Sequence, residues 1–139
     1  MPIMFNPLLL EAGLDLKDVR LLRHANSTGR SAYELWREDR DGFNLYQSVQ
    51  AIDRRPDFGS AGFWASFGST LDGETVFLGL YEVSFRGVGR RNLKKPHTAG
   101  VNRAGTYHRY DMKECAALQD LAGRLYVDWG AGTRVVGLR

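Results

Sequence analysis

Between Val83 and Tyr110 the chain has no Asp or Glu, yet it carries Arg86, Arg90, Arg91, Lys94, Lys95, Arg103 and Arg109, together with His97 and His108. Cations gathered without interleaved acids make a surface that attracts polyanions, and phosphate backbones above all, in a salt-dependent and sequence-blind way. The net charge of +3 conceals this asymmetry: the segment holds 7 of the 19 Lys and Arg residues and no acid, while the remainder of the chain nets −4. Arg86, Arg90, Arg91, Lys94, Lys95, Arg103, His108 and Arg109 are therefore the candidate nucleic-acid contacts. Aromatic residues flank them: Trp64 and Phe67 before, Tyr81 and Phe85 on the approach, Tyr107 and Tyr110 after. An unstacked base gains about 1–3 kcal/mol by stacking on such a ring, which makes Trp64, Tyr81 and Tyr107 the candidate base pocket. The same rings also suit a hydrophobic core.

Other chemistries find less support. His24, His97 and His108 lack metal-ligand spacing, and Cys115, the single cysteine, can form no internal disulfide. The Gly-rich WGAGT at 129–133 is not followed by the helix that phosphate-binding loops require. Glu34, Glu38, Asp39 and Asp41 form an acidic cluster that a Mg²⁺-dependent nuclease would need. Arg37 and Arg40 interleave with them, as on an ordinary salt-bridged helix face. Neither Ser66 nor Cys115 has an identifiable base. No catalytic residue, metal or cofactor is assigned. Two readings stand beside nucleic-acid binding. One is a protein-interaction or scaffolding domain that docks through the aromatic helix face Tyr33, Trp36, Phe43 and Tyr46. The other is a small metal-dependent nuclease that uses Glu34 and Glu38.

These groups must be positioned by one α+β domain covering residues 1–139, since 139 residues with 43% hydrophobic and 25% charged composition suit a single folded unit. No apolar run is long enough to span a bilayer and no leader peptide is evident, so a cytoplasmic protein with no membrane partner is expected. Asn6 and Pro7 open a short helix that Gly13 ends. Val19 to Arg23 reads as a strand. Ser31 with Glu34 forms a capping box, and the helix that follows has a weak point at Gly42. Phe63 to Gly68 and Thr75 to Phe85 read as strands joined through Asp72-Gly73. The second has Val76, Leu78, Leu80, Glu82 and Ser84 on one face and Phe77, Gly79, Tyr81, Val83 and Phe85 on the other, as in a central strand. The basic segment reads as a Gly-containing loop, with a short strand at Thr106 to Tyr110. Met112 to Ala122 reads as a helix that includes Cys115. Arg124 to Trp129 and Thr133 to Leu138 read as strands. This order suits a strongly bent, mostly antiparallel sheet or small barrel with helices packed outside.

The blocks LLRH (21–24), GRSAYELWREDRDGFNLYQSVQ (29–50), FWASFGSTLDGETVFLGLYEV (63–83) and RLYVDWGAGTR (124–134) resemble the N-terminal region of bacterial proteins that carry a GIY-YIG nuclease domain downstream. The resemblance implies a DNA-recognition module linked to restriction-like systems, with any cutting done by a domain outside this sequence. The hairpin at 64–83 is also similar to small PUA-type barrels, which implies a reader of modified bases on double-stranded DNA. Neither resemblance assigns residues.

Overall fold

The computed structural model describes residues 3–25, 31–51, 62–92 and 104–139; for 49–51, 87–92 and 104–108 it describes the backbone alone. Helix α1 spans Asn6–Glu11 with Pro7 in its first turn. Its N-cap is Phe5, one residue earlier than expected, because that residue is anchored: Phe5 is fully buried and its N–H donates to the Thr133 carbonyl at 3.0 Å. Asp15 then caps a single 3₁₀ turn by accepting the Lys17 N–H at 3.0 Å, which feeds strand β1, Val19–His24.

Helix α2, Ala32–Glu38, begins with the expected capping box. The Ser31 hydroxyl accepts the Glu34 N–H at 3.0 Å, and the Glu34 carboxylate lies 3.3 Å from the same oxygen. The chain breaks at Asp39 (φ −144°, ψ 76°), three residues before Gly42. Asp39 Oδ1 accepts the Gly42 N–H at 3.0 Å and so restarts the chain as helix α3, Arg40–Ser48. A short strand not foreseen from the sequence, β2 (Val49–Ala51), follows directly. Strands β3 (Phe63–Ser69) and β4 (Thr75–Asn92) flank a turn in which Gly73 takes φ +82°. Strand β5 covers Ala104–Glu114, β6 Leu125–Asp128 and β7 Arg134–Leu138.

The strands form one sheet in the order β1-β3-β4-β5-β2, with β6 paired to the start of β4 and β7 paired to β6. Among the described residues only β1 with β3 is parallel. The mostly antiparallel α+β character is as expected. The pairings do not close into a barrel, because β1 and β2 stand at opposite ends of the order. The expected helix at Met112 to Ala122 is replaced by the end of β5, a turn and a 3₁₀ turn at Gln119–Leu121. Ladder pairs Val83↔Met112, Glu82↔Lys113 and Tyr81↔Glu114 hold that stretch extended, so strand pairing overrides local propensity. Cys115 sits in the turn, half-buried, and burial pushes its thiol pKa up.

Helices cover both faces of the sheet. Phe5 and Leu9 pack with Phe67, Phe77, Leu80, Leu125 and Val127. Leu35, Trp36 and Phe43 pack with Val76, Leu78 and Tyr126 on the other side. The expected alternation along β4 does not survive, because a register shift opposite Ser66/Phe67 places one extra residue in β4, with Gly79 at φ +120°. An inserted residue exchanges the faces of everything beyond it. Leu80 therefore joins Phe77 under α1, and Tyr81 and Val83 join Leu22, Trp64 and Tyr110 in a third cluster.

Candidate nucleic-acid interface

The described parts of the basic segment, 83–92 and 104–110, are strand and not the expected loop. Pairing of β4 with β5 runs from Tyr81↔Glu114 out to Asn92↔Ala104, so these parts are built as a long antiparallel ribbon. Strand β3 accompanies β4 only as far as Glu82, and β2 braces β5 only at Tyr107, His108 and Arg109. Beyond these braces the ribbon is two strands wide among the described residues, with Arg90 opposite Thr106 and Arg91 opposite Gly105. A register shift between Phe85 and Gly87 leaves Arg86 as the bulged residue at the ribbon's root.

The structure distributes the expected contacts as follows. Arg86 is exposed and sits 3.3 Å from Asp111 on the facing strand, an exposed ion pair that contributes little to stability. Arg109 is half-buried and lies in register with Gly87 on one side and Val49 on the other. Arg90, Arg91, Tyr107 and His108 are placed on the ribbon backbone. Lys94, Lys95, Arg103 and His97 lie outside the described residues. Of the base-pocket residues, Trp64 and Tyr81 are cross-strand neighbours sealed in the core, exposed by 0% and 1%. Trp64 stacks edge-on against Tyr110 at 4.8 Å between ring centroids. Neither ring offers a face to a base in this packing. The exposed aromatic at the ribbon's root is instead Phe85, 49% exposed, with Tyr110 behind it at 5.6 Å.

The aromatic helix face is also spent internally. Trp36 and Phe43 are buried, and Tyr33 and Tyr46 pack against the same cluster, so the docking face expected of them points at the sheet. Glu34 serves the capping box, and Glu38 lies 4.0 Å from Arg37. Among the described residues, no three His, Cys, Asp or Glu side chains converge as a metal site.

One arrangement had no sequence signal. Gln47, fully buried at the end of α3, reaches the sheet and accepts two hydrogen bonds on Oε1, from Ser66 Oγ at 2.7 Å and from His24 Nε2 at 3.1 Å. Its amide nitrogen donates to Asn44 at 3.1 Å, which fixes the orientation of the group and requires a proton on His24 Nε2. Nearby, burial pushes the Tyr81 hydroxyl up to about 12, and the Glu114 carboxylate acts in the same direction. The Arg40 guanidinium lies over the Trp36 ring, 3.8 Å from its centroid, and reaches Glu114 at 3.7 Å, tying the helices to the root of β5. These contacts dock α3, and with it the β2 brace, against the base of the ribbon.

Comparisons with family models, with curated proteins and with solved structures find no match.

Proposed function

We propose that this chain binds duplex nucleic acid through the β4–β5 ribbon. The observation that carries the reading is the continuation of the ladder, as a two-stranded element among the described residues, through Arg86, Arg90, Arg91 and Arg109, four of the seven cations of the acid-free stretch. A β-ribbon is one of the two protein elements that the roughly 12 Å major groove of DNA admits. Rigid presentation also reduces the ordering cost that a basic loop would bear on binding. The resemblance to the N-terminal region of GIY-YIG nuclease proteins favours DNA over RNA. Reading of a modified base belongs to the same proposal in its narrower form, with Phe85 as the described ring open to stacking. The proposed role is recognition, with no catalytic step assigned to this chain.

Changing Arg90, Arg91, Lys94 and Lys95 together to Ala tests it. A mobility-shift titration at low and moderate salt should show weaker binding. The slope of log affinity against log salt should flatten by roughly 3–4 if all four side chains meet phosphate, at about 0.9 per contact. Plain, methylated, hydroxymethylated and phosphorothioated duplexes run side by side separate backbone binding from base reading. Affinity and slope equal to those of the unaltered chain would overturn the proposal.

A further inference from the structure

The end of the sheet remote from the ribbon holds an open pocket of about 460 Å³, within the range of small-molecule sites. Arg23 on β1, Glu74 just before β4, Thr75 at its start, Asp128 at the end of β6 and Trp129 after it line it. Both acids are already engaged from outside. Glu74 receives both terminal nitrogens of Arg139, at 2.8 and 2.6 Å, and Asp128 receives Arg134 at 3.2 Å. The charge left over in the pocket is therefore positive, on Arg23. Its Nε donates to Thr75 Oγ1 at 3.1 Å, and among the described residues neither terminal nitrogen meets a carboxylate. Thr75 is buried and Arg23 is exposed, so this bond anchors the guanidinium at the pocket through its Nε. A fork held in this way suits two oxygens of one anion. The walls beside it are apolar: Trp129, whose ring rests on Phe67 at 5.3 Å, and the exposed side chain of Val136.

We propose that this pocket binds a small oxyanion with a flat apolar body, an aryl carboxylate or aryl phosphate, its oxygens on the Arg23 fork and its ring against Trp129 and Val136. The site is separate from the ribbon: Thr75 and Asn92 are the two ends of β4, on the order of 50 Å apart for a strand of that length. Binding here does not depend on the nucleic-acid reading.

The chain contains three tryptophans, so their indole N–H signals in a ¹⁵N spectrum report separately on the pocket (Trp129) and the core (Trp36 and Trp64). Titration with phenyl phosphate and, in parallel, benzoate should move the Trp129 signal saturably and leave the two core signals in place. The tighter probe identifies the oxyanion. Arg23→Gln should weaken binding roughly tenfold or more, as for loss of a charge-assisted pair, with Arg23→Lys intermediate. Unmoved core indole signals in each variant confirm that it is folded. Failure of both probes to saturate, an unchanged affinity in Arg23→Gln, or inorganic phosphate binding as tightly as phenyl phosphate would each overturn the proposal.

Discussion

Replacing Gln47 by Leu keeps the volume of the side chain and removes its hydrogen-bonding atoms from a fully buried position. The Ser66 hydroxyl and the His24 Nε2–H then lose their shared acceptor, and both residues lie in the core, exposed by 0% and 7%. Each buried polar group left unsatisfied costs about 1–3 kcal/mol. The loss for the pair is about 3 kcal/mol, offset slightly by the added apolar side chain. A domain of 139 residues loses roughly 3 °C of melting temperature per kcal/mol, so a fall of about 10 °C is expected in a calorimetric or circular-dichroism melt. Because β2 follows α3 directly, the amides of Val49–Ala51 should also exchange faster in Gln47→Leu while those of Phe77 and Leu78 keep their protection relative to global unfolding. Adding Ser66→Ala removes one of the stranded groups, so the double variant should be less destabilised than the sum of the singles by about 1 kcal/mol. A melting temperature within about 3 °C of the parent, or strict additivity of the two substitutions, would refute the account of Gln47 as a shared acceptor.

Tyr81 gives a pH-dependent counterpart. Its hydroxyl is raised from the ordinary 10.0 to about 12 in the folded chain, so its contribution is fully present below pH 10 and is lost as the pH rises from there through 12. That amounts to about 2–3 kcal/mol over the interval, and Tyr81→Phe should flatten this alkaline limb of a urea-midpoint-against-pH profile. Gly123→Ala should destabilise by several kcal/mol, because Gly123 takes φ +79° and an added methyl would meet the Trp36 ring at 2.6 Å with backbone strain besides; a chain that melts unchanged after this substitution contradicts the packing of α2 on the turn before β6.

Much of the fold was legible from local chemistry. The Ser31–Glu34 box, the Asp72-Gly73 turn and the apolar first half of β4 each signal themselves within a few residues, and each appears where expected. What failed depended on partners distant in sequence. Met112 to Glu114 looks helical by itself and is a strand because Tyr81 to Val83 hold it extended. The face of Tyr81 could not be read because a single inserted residue near Gly79 exchanges it, and nothing in TVFLGLYEV marks the shift except the glycine itself. That exchange, with the burial of Trp64, also moved the exposed ring from the expected pocket to Phe85. The cations were found by counting, but the mounting of Arg86, Arg90, Arg91 and Arg109 on a ribbon was not, since Gly87 and Gly89 read as loop residues and stand in the ladder opposite Arg109 and Tyr107. The Gln47 arrangement joins three elements and has no linear signature.

The strand order has a consequence for the sequence of events in synthesis. Strand β2 leaves the ribosome well before β5, the only strand with which it pairs among the described residues. Strand β1 must likewise wait for β3, with α2, α3 and β2 intervening, before its parallel ladder can form. Both margins of the sheet therefore stay unpaired until the middle of the chain is complete. Loop closure over such separations slows folding and leaves strand edges open to wrong partners in the interval. The nascent chain therefore passes through a window in which β1 waits for β3 and β2 waits for β5, the second strand of the ribbon.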